Sequence, residues 1–277
     1  MSQEFNDFNL HEKVIVVTGA TGILGEAFVR SLGEAGARVV ILGRNEEVGK
    51  SRMNEMKEKG KEALFVKCDV LEKADLVAAR DIVLNQWGKI DGLVNAAGGN
   101  IPEAVIGPDA DVFEMDIDAL KRAFDLNLYG TLLPTCIFGK AMSQDTSSGR
   151  GSIINISSMA AQTAITRVLG YSMAKAAIDN FTRWMSVELA QRYGDKIRMN
   201  AIAPGFFVTH QNRRLLVAEG GGYTARGEAV IRNTPFKRFG EPEELTGTLL
   251  WLLSDASRFV SGEVICVDGG FHIFSGV

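Results

Sequence analysis

Apolar and polar positions alternate along this chain in blocks rather than residue by residue. Lys13 to Gly19, KVIVVTG, is an unbroken apolar run closed by glycine, as expected of a strand buried on both faces of a parallel sheet. An amphipathic stretch from Ile23 to Ala35 follows and stops at Gly36. A second apolar run, Arg38 to Leu42, leads into a charged helical pattern from Glu46 to Lys59 that ends at Gly60. The alternation then predicts a strand at Ala63 to Lys67, a helix at Lys73 to Trp87 and a strand at Gly92 to Asn95. Further strands are predicted at Ser152 to Ile156, Ile197 to Ala201 and Glu263 to Val267, with helices between them. Such strands need crossover connections, so the expected fold is α/β: one doubly wound parallel sheet with helices on both faces. Residues 1–12 read as a polar tail and 13–277 as a single domain.

Two stretches break the pattern. Residues 99–118 carry two prolines, and residues 205–240 carry three consecutive glycines and several arginines. Both follow predicted strands at the carboxyl edge of the sheet, where open parallel sheets bind ligands. They are expected either to wall a pocket, 205–240 as a substrate loop, or to be plain surface insertions.

Composition narrows the partners. Hydrophobic residues make up 46% of the 277, yet no apolar run approaches the length of a membrane span. The first residues are polar and acidic, unlike a secretory signal. Cys68, Cys136 and Cys266 are scattered and odd in number, which fits a reducing compartment better than a disulfide framework. A net charge of −4 offers no basic field for nucleic acid. The expectation is a cytoplasmic protein with no membrane or nucleic-acid partner. His11, His210 and His272 lack ligand spacing, so no metal is expected either.

Candidate chemistry gathers at the strand ends. TGATGILG, Thr18 to Gly25, sits where the first strand turns into the first helix. Glycines at 19, 22 and 25 allow a tight turn, and the free N–H groups of Ile23, Leu24 and Gly25 would face a pyrophosphate, with Thr21 beside them. After the second strand the chain reads Gly43-Arg44-Asn45, with no acid to hold adenosine ribose hydroxyls. Arg44 could instead pair with a 2′-phosphate, favouring NADP over NAD, or stand solvated in a capping turn. Tyr171 and Lys175 lie one helical turn apart, and a cation near a phenol favours the phenolate. Ser157 and Ser158 end the strand GSIINISS at the same edge, as does the turn Asn95 to Gly98.

On these motifs, with CDV at 68–70, Asn127 in DLNLYG and the run Pro204 to Thr209, the chain resembles the single-domain branch of the short-chain dehydrogenase/reductase family along nearly its whole length. One departure is visible: the family reads TG-x-x-x-G-x-G, and here the middle glycine falls one place early, at Gly22. The resemblance implies a Rossmann-type sheet of about seven strands and a hydride transfer with NAD or NADP. It selects Ser158 over Ser157 because the family's serine precedes its tyrosine by thirteen positions. It implies Tyr171 as general acid, Ser158 on the substrate oxygen, Lys175 on the tyrosine and the nicotinamide ribose, and Asn127 anchoring a water. Asp69 and Val70 would frame adenine, and Asn95, Ala96, Ala97 and Gly98 the adenosine ribose. Pro204, Gly205, Val208 and Thr209 would meet the nicotinamide end.

For substrate, Gln211, Asn212 and Arg213 follow Thr209, with Arg226 and Arg232 further along, and Asn100 and Gln162 could add contacts. Amides and guanidiniums suit a hydroxylated, anionic ligand. The loop and the C-terminal tail are similar to the branch of the family that acts on keto and hydroxy sugar acids. That similarity implies reversible reduction of D-fructuronate to D-mannonate by a homotetramer. Another short-chain sugar dehydrogenase or a 3-oxoacyl carrier-protein reductase is the alternative enzyme reading. A non-catalytic dinucleotide-binding scaffold would be expected to lack Tyr171, Lys175 or Ser158, and all three are present.

Overall fold

The first apolar run forms strand β1 (Val14–Thr18), buried at every residue, and the helix after the glycine turn is α1 (Ile23–Glu34). The computed structural model describes residues 8–145, 149–209 and 212–276. The alternation continues as β2 (Arg38–Gly43), α2 (Glu46–Glu58), β3 (Ala63–Lys67), α3 (Lys73–Trp87) and β4 (Gly92–Asn95). Then come α4 (Ile117–Phe124), α5 (Gly130–Gln144), β5 (Gly151–Ile156) and the long α6 (Leu169–Tyr193). Strand β6 (Ile197–Pro204), α7 (Arg213–Leu216), α8 (Ala225–Asn233), α9 (Thr246–Leu253) and β7 (Val264–Val267) complete the order.

The strands make one seven-stranded sheet in the order β3-β2-β1-β4-β5-β6-β7, every pair parallel. Two apolar clusters sandwich it, one around Phe28, Leu32 and Leu252, the other around Leu76, Phe138 and Ile153. Most strand ends fall within a residue of the predicted ones, although β6 runs on to Pro204. The stretch 205–240, read as irregular, holds the short helices α7 and α8. Its two ends are pinned together: Phe207 bridges Gly240, and Gly240 N donates to Phe206 O at 3.0 Å. Among the described residues, no helix is long and apolar enough to cross a membrane.

A chain of polar side chains runs through this core from helix to helix. Asn95 Nδ2, at the end of β4, donates to Thr135 Oγ1 on α5 and to Asn155 Oδ1 on β5, both at 2.9 Å. Asn155 in turn donates to Thr182 Oγ1 on α6, also at 2.9 Å. The Thr135 and Thr182 hydroxyls donate onward to the carbonyls of Thr131 and Ile178, each at 2.8 Å. Asn155 and Thr182 are wholly buried and Asn95 nearly so. In so dry an interior each unmade bond costs most of its desolvation penalty. Asn155→Ala should therefore destabilise the protein by about 2–4 kcal/mol, because it orphans partners on two sides. Chemical unfolding would read this, and an unchanged midpoint would deny the chain its structural weight.

Candidate active site

Strand order reverses between β1 and β4, and the carboxyl ends of the strands open there into a cleft, the usual ligand position in such sheets. Thr18 stands in register with Asn95, and its hydroxyl accepts from Ala96 N and Ala97 N, both at 3.1 Å. Gly19 lies at φ +62°, and a Cβ there would come within 2.6 Å of Ala96 O. A Cβ on Gly25 would come within 2.4 Å of Gly19 O. The turn and the start of α1 are thus packed backbone against backbone, which only glycine permits. No side chain caps α1, so its first N–H groups remain available as donors for an anion.

One end of the cleft matches a dinucleotide. It is lined by Gly19, Thr21, Gly22, Ile23, Leu24 and Gly25 of the turn and by Arg44 and Asn45 after β2. Asp69 and Val70 after β3, Ala96, Ala97 and Gly98 after β4, and Thr209 complete it. Cys68 and Leu126 also line it, which the sequence reading missed. The Cys68 thiol is pushed up to about 12 by burial and then by Asp75 and Asp69, so it is chemically quiet. Arg44 is largely exposed, with Nη1 3.7 Å from Asp69 Oδ2.

The early middle glycine acquires its explanation here. Gly22 has φ −83° and caps α1 in an extended conformation open to any residue. The turn is held from outside by Arg52 of α2, which donates to the carbonyls of Ala20 and Gly22, the latter at 2.9 Å. Its other nitrogen meets Glu26 Oε2 at 2.8 Å. Arg52 thereby ties down two carbonyls of the turn and neutralises a carboxylate in the first turn of α1, near where an anion would sit.

The other end of the cleft holds the chemistry. Successive strand residues point to opposite faces, and this separates the two serines. Both serines line the cleft; the buried Ser157 hydroxyl donates to Asp179 of α6, whereas Ser158 hydrogen-bonds Tyr171. Lys175 Nζ donates to Ile156 O at 2.6 Å and lies 5.4 Å from the centre of the Tyr171 ring. Burial pulls the lysine down to about 8, opposed by the charge of Asp179. The expected depression of Tyr171 by Lys175 is not what this geometry gives. Burial pushes the phenol above its ordinary value, and the Ser158 bond pulls the other way. Desolvation sets the direction, and the ammonium is spent on a carbonyl.

Asn127 sits on a π-helical turn, Asp125–Tyr129, between α4 and α5. Its Nδ2 donates to Gly99 O at 2.8 Å and Ala123 O at 2.7 Å, and its Oδ1 accepts from Gly99 N at 3.0 Å. The side chain thus clamps the turn after β4. Asn95, expected at the adenosine ribose, is committed to the core chain already described. Gln162, expected at the substrate, points elsewhere: its Nε2 lies 3.5 Å from Asp179 Oδ2, and Cys266 Sγ donates to its Oε1 at 3.4 Å. Arg213 is exposed on α7, and neither it nor Val208 lines the cleft. Asn100, Pro204, Gly205 and Asn212 do line it, although Asn212 spends its amide on Phe207 O and Thr209 N. Gln211 lies outside the described residues. Arg226 lines the cleft from α8, and no local signal in the sequence separates it from the other arginines.

A family model described as enoyl-(acyl carrier protein) reductase matches residues 19–272. An uncharacterized oxidoreductase of Bacillus subtilis, UxuB, is 42% identical over 97% of this chain and 98% of its own length. A Haemophilus influenza protein provisionally assigned as a D-mannonate oxidoreductase, solved with bound NAD, superposes with a TM-score of 0.88 at 40% identity, covering 97% of this chain and 98% of that one. A gluconate 5-dehydrogenase from Burkholderia cenocepacia, in complex with NADP and tartrate, superposes with a TM-score of 0.83 at 33% identity, covering 96% and 97%.

Arg52→Met should weaken dinucleotide binding roughly tenfold while leaving turnover at saturating dinucleotide nearly intact, since a lost charged hydrogen bond costs about 1.5–3 kcal/mol. Titration of NADH or NADPH fluorescence against the variant reads this. A fall in turnover with unchanged affinity would instead make Arg52 a general structural support.

Proposed function

The chain belongs to the short-chain dehydrogenase/reductase family, and we propose that within it this protein reversibly reduces the C5 keto group of D-fructuronate to the hydroxyl of D-mannonate. The observation that carries the reading is the pairing of a Ser158–Tyr171–Lys175 cluster with a cleft that admits a cation, Arg226, beside the amide-bearing Asn100. Two sugar-acid relatives of near-complete coverage support it.

NAD(P)H, when bound, supplies the hydride to the carbonyl carbon. The protein's part is to place the carbonyl and move a proton. Ser158 Oγ, which accepts from Ala160 N at 3.1 Å, keeps its own hydrogen for the substrate oxygen or for Tyr171. Tyr171, protonated across the ordinary pH range because burial raises its phenol, delivers that proton to the oxygen as negative charge develops. Lys175 supplies positive potential under the ring while it remains an ammonium, which offsets the cost of the phenolate left behind. In the oxidation direction the same proton returns to Tyr171. Asn127 positions the Gly98–Gly99 turn that walls both halves of the cleft. Arg44, exposed and only loosely held by Asp69, is free to meet a 2′-phosphate and favours NADP. The NAD-bound relative supports NAD instead, and the NADP-bound relative supports NADP.

Absorbance at 340 nm with D-fructuronate and NADPH or NADH should show rapid oxidation that Tyr171→Phe reduces by at least about a hundredfold, the usual scale of general acid catalysis. Turnover of 5-keto-D-gluconate alone would reject D-fructuronate and keep a sugar-acid reductase, while turnover of 3-oxoacyl thioesters alone would reject both. Arg44→Ala should cut the NADPH-to-NADH preference roughly tenfold, and an unchanged ratio would assign Arg44 to solvent.

The reduction rate should fall as pH rises through about 8. Lys175 is charged below that value and loses its proton above it, whereas the raised Tyr171 phenol stays protonated across the same window. A pH profile of the single-turnover reduction rate checks this. A limb that persists unshifted in Lys175→Arg would belong to another group.

A further inference from the structure

A guanidinium at the substrate end of the cleft has no counter-ion, and it is bonded to the residue just before a second arginine. Arg226, in the first turn of α8, lines the substrate end. Its Nη1 and Nη2 reach Thr166 Oγ1 and Thr166 O at 3.3 and 3.2 Å, which leaves most of its five N–H donors unspent. The next residue along that loop, Arg167, is close enough for its charge to act on Arg226. Burial and that like charge both pull the Arg226 guanidinium down, and no carboxylate acts in the opposite direction. Glu228, the acid in the same helical turn, makes no ion pair with it, and among the described residues neither arginine has a salt-bridge partner. The opening turn of a helix is also the least favourable place on it for a cation.

Arg167 is held at some cost. Its φ is +76°, in the left-handed region that a long side chain rarely adopts, and Ile106 N fastens its carbonyl at 2.9 Å. The loop that carries it runs directly into α6, four residues ahead of Tyr171. Two cations without a counter-ion, one of them half-buried in the cleft, repel each other, and an anion placed against them would relieve that repulsion.

We propose that Arg226, seconded by Arg167, is the recognition site for the carboxylate of the substrate, placing the far end of a keto sugar acid while Tyr171 and Ser158 hold its carbonyl. This rests on the sugar-acid reading above and names the two residues that would impose it. A planar guanidinium suits a carboxylate bidentately, and a neutral polyol of the same length gains nothing from it. Arg226 bridges α8 to the loop before α6 through Thr166, so an anion there would also tie the two walls of the cleft together.

The test compares D-mannonate with the neutral D-mannitol by calorimetric titration onto protein saturated with NAD or NADP, alongside KM for D-fructuronate. Wild-type protein should bind D-mannonate at least about tenfold more tightly than D-mannitol, and the advantage should shrink as salt is added. Arg226→Gln should lose roughly ten- to hundredfold in D-mannonate affinity and in KM for D-fructuronate, Arg226→Lys should recover part of it, and Arg167→Gln should lose less. Unfolding midpoints of the variants, and the salt dependence of the wild-type protein, separate lost recognition from lost folding. Equal weakening of D-mannitol and D-mannonate, or a salt-independent preference, overturns the inference. D-fructuronate reduced with the same KM by wild type and Arg226→Gln overturns it while leaving the proposed reaction standing. No reduction of D-fructuronate, but Arg226-dependent binding of D-gluconate, overturns the reaction while leaving the carboxylate site standing.

Discussion

Everything at the active end of this protein hangs on a row of buried amides and hydroxyls. Asn95 and Asn155 sit side by side on β4 and β5, and each reaches outward to a threonine on a flanking helix. Those two strands lead into the Ala96–Gly99 turn and Ser158; the first helix follows directly on the turn that holds Asn127, and the second carries Tyr171 and Lys175. Apolar packing alone would hold the layers together yet leave them free to slide by fractions of an ångström. Directional bonds in a dry interior do not permit that slip, and hydride transfer tolerates little of it.

Charge in the cleft is governed by the same dryness. Burial pulls Lys175 down to about 8 and keeps the Tyr171 proton in place, so below that pH the site holds one ammonium beside a neutral phenol. Asp179, buried one turn below Lys175 and held by Ser157 and Gln162, is the counterweight that keeps some positive charge there. Ser157, in the cleft wall, and the exposed Gln162 both serve to hold that carboxylate. At the dinucleotide end, Arg52 balances Glu26 and takes up carbonyls that would otherwise face a bound anion.

The sheet was legible in the sequence because burial on both faces leaves unbroken apolar runs, and β3, α3 and β4 begin and end where those runs do. The glycine turn and the Tyr171–Lys175 spacing were legible for a related reason, since both are local and depend on one strand end or one helical turn. What escaped was non-local. Nothing in the neighbourhood of Asn95 says that its amide will be spent across three elements, and nothing near Arg226 distinguishes it from Arg213. The π-helical turn that aims Asn127 leaves no periodic trace, and the left-handed backbone at Arg167 contradicts the ordinary preference of its residue type. Residue patterns report burial and handedness well. Partner identity is decided by which elements meet, and the one-dimensional pattern does not contain that.

The pinned ends of the 205–240 excursion carry a consequence for how such an enzyme diversifies. Phe207 and Gly240 meet in a single bridge at the rim of the sheet, so the chain leaves and re-enters the framework at almost one point. Whatever lies between is a closed loop whose length and sequence bear little on the register of β6 and β7. Among the described residues the dinucleotide groove is assembled almost wholly from residues earlier in the chain, with Thr209 the one contact from this segment. The substrate end is lined both from this segment, by Asn212 and Arg226, and from the framework, by Asn100 and Ile165, so a change confined to the segment would rebuild one wall and leave the other standing.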